Sequence, residues 1–331
     1  MRKCKLLAIP LTLCLLISGC SISKNKEDAL QTNINSPYIQ KEGFLLDTII
    51  DIKIYDNQDN SLLEKSFDLI SDLEKKLSSH QKDAEIYKLN HSNNEFVELS
   101  QEAIECIKQG IHYGELTNGS FDITIGAVSL LWDFKTPGAS IPDDSNIKKN
   151  LDKINYKDIL IDGNKVKLLK PDMAIDLGAI AKGYVADKVK SLLVENNVHS
   201  AIINLGGNVL TIGKKGNTPF KVGIQDPKKE RNQIIETVDI EDKSVVTSGI
   251  YERFIEYNGK KYHHILDPKT GYPVENDIIQ TTIISDKSID GDALSTCVFL
   301  LGKDKGLELI KSLKGVTAYF YLSNGDVLHS E

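Results

Sequence analysis

Cysteine, basic surplus and long apolar runs are what this chain has least of. Of its five cysteines, Cys4, Cys14 and Cys20 fall within the first twenty positions, leaving only Cys106 and Cys297 in the body of the sequence. Both stand in apolar helical patterns, so no disulfide framework is expected, and no Cys/His spacing suits a metal cage. The charge balance leans acidic: 40 Lys and Arg face 47 Asp and Glu, a formal net charge of −7. Nucleic-acid binding wants a basic footprint, and none is present. The one sustained apolar run, residues 6–17, is too short for a membrane-spanning helix. No Gly-x-Gly-x-x-Gly, Walker A loop, Gly-x-Ser-x-Gly elbow or His-Glu-x-x-His occurs, which removes the common nucleotide, hydrolase and zincin signatures. There is no internal repeat, no low-complexity tract and no linker after Gly43 to divide the chain.

The N-terminus is a separate object. Arg2, Lys3 and Lys5 precede the apolar run, which ends in Ile17-Ser18-Gly19-Cys20. A basic region, a short apolar core and small residues directly before a cysteine read as a lipoprotein signal over 1–19, with Cys20 lipidated. The plain alternative is a signal cut elsewhere beside an incidental cysteine. Removing 1–19 takes the three basic residues with it and moves the net charge to −10. Membrane attachment would then come from the lipid and not from a polybasic patch. Residues 20–43 follow as the lipidated cysteine and a polar tether, and 44–331 as the folded domain.

Within that domain, Ile50, Ile52 and Ile54 alternate as in a strand, while Leu62, Leu63, Phe67, Ile70, Leu73 and Leu77 recur at helical spacing. A second helix covers 101–116, with Ile104, Ile107 and Ile111 inward, and stops at Asn118-Gly119. Residues 139–150, with Pro142 and Asp143-Asp144, read as a loop. A strand over 165–175 leads into a helix after Gly178. Residues 201–212 form two strands about Gly206-Gly207, and 254–266 a hairpin about Asn258-Gly259. A strand at 280–285, helices at 291–301 and 306–313, and a last hairpin complete the chain. Strands and helices mix without regular βαβ alternation, so the fold class is α+β, one domain of mixed sheets and packed helices.

The stretch Asp176-Leu177-Gly178-Ala179-Ile180-Ala181-Lys182-Gly183 organises the rest. A tight turn at Gly178 leaves helix N–H groups and the positive dipole end facing whatever lies above the strand. Lys182 falls in the first turn, where a cation is unfavourable unless an anion sits there. That suits a pyrophosphate or nucleotide site; an ordinary strand-to-helix junction with a solvated lysine is the alternative. Asp292 and Thr296 are four apart, so a carboxylate and a hydroxyl share one helix face. Mg²⁺ accepts such oxygens and takes the rest from phosphates and water; a helix-start Asp and a back-bonded Thr would look the same. His263 and His264 face opposite sides of a strand, so one of them is a candidate general base or a hydrogen-bonded hairpin histidine. Phe121-Asp122-Ile123-Thr124, before the only tryptophan, Trp132, reads as a ligand wall or a packed strand. Asn204-Leu205-Gly206-Gly207-Asn208 offers either exposed N–H groups for phosphate or ribose, or a turn alone.

Taken together and in order, these blocks resemble the ApbE family, the FAD:protein FMN transferases. Leu46-Asp47-Thr48 is similar to the family's opening Met-Asp-Thr, and Phe121–Gly126 to its Phe-Asp-Pro-Thr-Val-Gly. The stretches 176–187, 204–208, 222–227 and 246–249 match further blocks, as do His264-Ile265-Leu266-Asp267-Pro268 and Asp292-Ala293-Leu294-Ser295-Thr296. The resemblance implies FAD as substrate, Mg²⁺ as cofactor, and transfer of FMN to a threonine hydroxyl of an acceptor protein with release of AMP. It implies that Asp292, Thr296 and the Ala179 carbonyl hold Mg²⁺. It assigns FAD contacts to Asp176, Lys182, Ser120, Phe121 and Asp122, with Leu46 and Ile265 lining the nucleotide pocket. His264 becomes the general base, with Lys182 neutralising phosphate charge. The family's acceptor is an extracytoplasmic redox protein with an FMN-binding domain. Leu46 departs from the family's Met, and His80 stands where many members place a Tyr to stack on a ring. Two other readings share the residues: an FAD pyrophosphatase giving FMN and AMP, and a surface lipoprotein that binds FAD without chemistry.

Overall fold

The computed structural model describes residues 38–136, 138–229 and 233–330. The expected signal, Cys20 and most of the tether lie outside the described residues. The chain enters as strand β1 (Ile39–Leu45), five residues before the expected start at Phe44, because β1 pairs along its whole length with β2 (Thr48–Ile54). Helices α1 (Ser61–Leu77) and α2 (Glu85–Asn90), the short β3 (Val97–Glu98) and α3 (Gln101–Leu116) follow. Then come α4 (Gly126–Ser129), α5 (Asp144–Asn150), and β4 (Ile159–Asp162) with β5 (Lys165–Leu168). Helix α6 (Ala181–Glu195) leads to the pair β6 (Ser200–Leu205) and β7 (Asn208–Gly213). Next are β8 (Phe220–Gln225), β9 (Ile234–Ile240), β10 (Ser244–Gly249), β11 (Phe254–Tyr257) and β12 (Lys260–His263). The chain closes with β13 (Ile278–Ser285), α7 (Ser288–Ser312), β14 (Thr317–Leu322) and β15 (Val327–His329).

An antiparallel sheet in the order β1-β2-β6-β7-β10-β13-β14-β15 is the backbone of this α+β domain. Its centre is covered on both faces. In register, Val246 and Ile283 are partners, as are Val245 and Ile284. Ile283 belongs to the main core beneath the helices, whereas Val245 and Ile284 join Val222, Ile224 and Val238 of the β8–β9 hairpin on the opposite face. Such double coverage is why these strands read as continuous apolar runs. A third cluster, built on Val128, Trp132, Ile147, Ile255 and Leu266, ties α4, α5 and the β11–β12 hairpin together. Cys106 and Cys297 are buried free thiols, as their apolar settings predict. Among the described residues no helix is long and apolar enough to cross a membrane.

Three sequence expectations need correction. The strand expected over 165–175 ends at Leu168, because Pro171 lacks an N–H and Asp172 takes a left-handed turn (φ 58°). Beyond that turn the chain makes only an isolated bridge, Ala174 to Ile125, and Asn90 brackets Ile175 through both its N–H (2.7 Å) and its carbonyl (2.8 Å). The loop expected over 139–150 holds helix α5, whose single buried residue, Ile147, is too little apolar pattern to show helical periodicity. The two helices expected after Gly291 are both present within α7, one on each side of the non-helical Gly302 (φ 75°, ψ 173°), but the first of them starts earlier, at Ser288. Its earlier start has a long-range cause: the Asp187 carboxylate of α6 accepts hydrogen bonds from the N–H groups of Ser288 (2.9 Å) and Ile289 (3.0 Å).

Candidate active site

The site begins where α6 and α7 cross. Helix α6 has no side-chain cap of its own at Ile180. One of its unpaired N–H groups, that of Gly183, donates instead to Asp292 Oδ2 of α7 at 2.9 Å. Asp187 repays the contact at the start of α7, so each helix caps the other with a carboxylate. The crossing is close because residue 183 is glycine: a Cβ there would meet the Ser288 carbonyl oxygen at 2.3 Å.

Asp292 is only 3 % exposed. Burial pushes its carboxyl upward in pKa, opposed by Lys182 and by the Gly183 N–H. Lys182 Nζ stands 3.2 Å from Asp292 Oδ1. The anion that a first-turn lysine calls for is therefore supplied from within the chain. Asp187 is likewise pushed up by burial, to about 6.

This crossing forms one end of a cavity of about 1130 Å³, larger than the roughly 300–1,000 Å³ of most small-molecule pockets. Lys182, Asp292, Thr296, Ala179 and Asp176 lie on its wall, as do His264, Ile265, Phe121, Leu46 and His80. The structure thus gathers nearly every residue singled out in the sequence, from segments more than two hundred positions apart. Ser120 is the exception and does not reach the wall. Asp122 does, but its carboxylate serves the protein: Oδ1 accepts from the Thr124 N–H (2.8 Å) and hydroxyl (2.6 Å), and Oδ2 from the Tyr156 N–H (2.8 Å). Asp176 is also held, by the Ser129 hydroxyl at 2.7 Å and the Gly178 N–H at 2.9 Å.

Leu46 and Asp47 form the two-residue turn between β1 and β2, both with positive φ (54° and 58°). That turn type favours Asn and Gly, so a Leu-Asp tip is strained. It is fastened from three sides. Glu74 accepts from the Leu46 N–H at 3.1 Å, Lys135 pairs with the Asp47 carboxylate, and Arg253 donates to the Asp47 carbonyl at 3.4 Å. Lys135 and Arg253 escaped the sequence reading, because nothing local ties them to Asp47.

His264 follows β12. Its Nδ1 lies 3.2 Å from the Arg253 carbonyl oxygen, which can only accept. The ring proton therefore belongs on Nδ1, leaving the lone pair on Nε2. Withdrawal from water lowers its pKa to about 4, helped by the positive charge of Arg253. It is neutral at pH 7 and fit to take a proton. Phe134 meets its ring edge-on at 6.5 Å and stacks on Trp132 at 5.4 Å, and both line the cavity. Of the stretch 121–124, read as a ligand wall or a packed strand, Phe121, Asp122 and Ile123 line the cavity and no strand forms. His263 is turned the other way, with Nε2 at 3.0 Å from the Val274 carbonyl. It is the hairpin histidine of the pair.

The donors near Asp292 are a carboxylate, a hydroxyl and a backbone carbonyl. Oxygen-only donors with one carboxylate suit a hard cation that draws its other ligands from phosphate and water. No group of three or more His, Cys, Asp or Glu placed to hold a metal occurs among the described residues. The residues present therefore fit Mg²⁺ shared with a substrate.

A large cleft with a buried carboxylate, an ammonium and a neutral imidazole on its wall defines the class: an α+β protein with a charged site in a deep cavity. Comparison with known proteins narrows it. Residues 46–320 match the ApbE family, and the chain belongs to that family. It is 35 % identical over 289 residues to an FAD:protein FMN transferase of Klebsiella pneumoniae, covering 86 % of this chain and 90 % of the relative. To the FAD:protein FMN transferase of Treponema pallidum it is 32 % identical, over 83 % of this chain and 82 % of that protein. The crystal structure of the ApbE protein of Thermotoga maritima superposes with a TM-score of 0.81 at 31 % identity, covering 89 % of this chain and 97 % of that one.

Proposed function

We propose that this protein is an FAD:protein FMN transferase, using Mg²⁺ to move FMN from FAD to a threonine hydroxyl of an acceptor protein. The observation that carries the reading is the meeting of Lys182, Asp292 and neutral His264 on one cavity wall, in a chain of this family. Asp292, Thr296 and the Ala179 carbonyl would hold the cation, which supplies charge neutralisation on the pyrophosphate oxygens. Lys182 adds a second positive charge there. The His264 Nε2 lone pair takes the hydroxyl proton as the threonine oxygen bonds to the FMN phosphorus. The pyrophosphate P–O bond on the far side breaks, and AMP leaves. Asp176, Phe121, Leu46 and Ile265 shape the wall against the nucleotide. The address belongs to the same proposal: lipidation at Cys20 would place the enzyme outside the cytoplasm on a membrane, where its acceptor would be a redox protein.

The test incubates the full-length chain with FAD, Mg²⁺ and an acceptor domain carrying a target threonine, reading intact acceptor mass and released nucleotide together. The expected result is an acceptor heavier by one FMN, matched by AMP and abolished by a chelator. Free FMN and AMP beside an unmodified acceptor would make the protein a pyrophosphatase. FAD bound but unchanged would make it a binder.

A further inference from the structure

The start of β7 carries a buried polar group that the chemistry above leaves unused. Asn208 is 1 % exposed and lies on the cavity wall. Its Oδ1 accepts a hydrogen bond from Ser288 Oγ at 2.5 Å, and Ser288 Oγ accepts one from Ser244 Oγ at 3.0 Å. Its Nδ2 has no hydrogen-bond partner among the described residues. The 2.5 Å distance favours one facing of the amide: it is too short for N–H···O and falls at the short end of the O–H···O range. The carbonyl oxygen therefore meets Ser288, and the NH₂ group, itself buried, is left without a partner among the described residues. A buried donor without a partner costs stability, and native proteins keep few of them without a reason.

Its position tells what it would meet. Ser288, Asp292 and Thr296 are successive at four-residue spacing, so they form one stripe along α7. Asn208 is bonded to the first of these, one helical turn from Asp292, and the backbone of Gly183 packs on Ser288 from the other side. The orphan donor thus lies in the wall at the end of the cavity where Lys182 and Asp292 meet. It sits directly after Gly206-Gly207, whose positive φ values (63° and 92°) turn β6 back into β7. An NH₂ group cannot ligate a cation; it can only donate to an oxygen.

Resting on the FAD reading above, we propose that Asn208 is a substrate-positioning residue whose Nδ2 donates to an oxygen of the FAD pyrophosphate, with Ser288 and Ser244 fixing the amide's orientation. An uncharged donor there aligns the phosphorus without adding to the positive charge of Lys182.

Two measurements test this. The first is a crystal structure of the wild-type chain with FAD, which needs no variant to fold. Nδ2 within about 3.2 Å of a pyrophosphate oxygen is expected; an Nδ2 that meets only water or the flavin overturns the proposal. The second is equilibrium binding of FAD and of riboflavin to Asn208→Asp, which turns the donor into an anion beside the phosphates. FAD should bind at least about tenfold more weakly, with riboflavin unchanged. FAD affinity equal to wild type, or an equal loss for riboflavin, would mark Asn208 as structural and overturn it. A wild-type chain that binds no FAD at all would instead remove the reading on which the proposal rests.

Discussion

Replacing Lys182 by Met puts the centre of the site under direct test. The change keeps most of the unbranched stem and removes the ammonium from beside a carboxylate that is 3 % exposed. Only backbone N–H groups then remain on Asp292, that of Gly183 at 2.9 Å and that of residue 182 itself. Breaking a fully buried pair costs about 3–5 kcal/mol. Lys182 is 30 % exposed, so part of its charge is already screened and about 2–3 kcal/mol is the appropriate loss. For a domain of this size that lowers Tm by roughly 3–5 °C.

The pH dependence gives a second signature. Burial holds the Asp292 pKa above its unfolded value, and losing Lys182 raises it further. The native state then takes up a proton that the unfolded chain does not, so stability rises as pH falls through that window. Thermal melts of wild type and Lys182→Met should therefore converge as pH falls. Adding Asp292→Asn to Lys182→Met removes the stranded charge and keeps an acceptor for Gly183, so the double variant should melt above the single one. Mg²⁺ should raise the Tm of Lys182→Met more than that of wild type, because a cation at Asp292 replaces the missing charge. An unchanged Tm, or a deficit identical across the pH range, would refute the reasoning.

Other perturbations separate the remaining parts. Asp187 keeps its proton up to about pH 6 in the folded chain, against about 3.9 unfolded, so it makes stability fall as pH rises through that interval. Asp187→Asn should abolish that fall while retaining one acceptor for the α7 cap; chemical denaturation at either end of the window checks it. His264 runs the opposite way. Its pKa of about 4 lies below the unfolded 6.5, so its contribution to stability is lost as pH falls from about 6.5 toward 4. As general base it should place the acid limb of kcat/KM near pH 4 and leave no inflection near 6.5. His264→Gln should lower turnover by about 10²–10⁴ with FAD affinity nearly unchanged, measured by single-turnover transfer and fluorescence titration. Gly183→Ala forces a methyl group to within 2.3 Å of the Ser288 carbonyl, which is backbone and cannot swing away. A loss of at least about 1–3 kcal/mol is expected in denaturant unfolding.

What the sequence made legible was local. Periodicity placed α1 and α3 to within a residue, and Asn258-Gly259 and Gly206-Gly207 marked their hairpins, because each signal lies in contiguous residues. Helix α5 was missed because seven residues with one buried side chain carry no period. The true start of α7 was missed because its cap, Asp187, is about a hundred positions upstream. The site divides in the same way. Ordered motifs identified Lys182, Asp292, Thr296 and His264, but the pairing of Lys182 with Asp292 is a property of the crossing, not of either motif. The Arg253 carbonyl that fixes the His264 tautomer, and the Lys135–Asp47 pair that fastens the strained turn, also had no local trace.

The reciprocal caps show why Asp292 could be read in two ways from sequence and why one reading does not exclude the other. A carboxylate in an early helical turn suggested either a dipole-complementing residue or a metal ligand. In the fold it is a cap, but for α6 and not for its own helix, and that duty uses one oxygen. The other oxygen faces Lys182 across a contact that is long for an ion pair, on the wall of the cavity. The structural role therefore fixes the carboxylate in place, and the remaining oxygen is left to chemistry. Separating the two is an experiment on one residue. Asp292→Asn preserves an acceptor for Gly183 and should keep the fold, while removing the charge that a cation needs. A variant that melts near wild type yet has lost Mg²⁺-dependent transfer would establish the division, whereas full activity in that variant would sink the metal assignment.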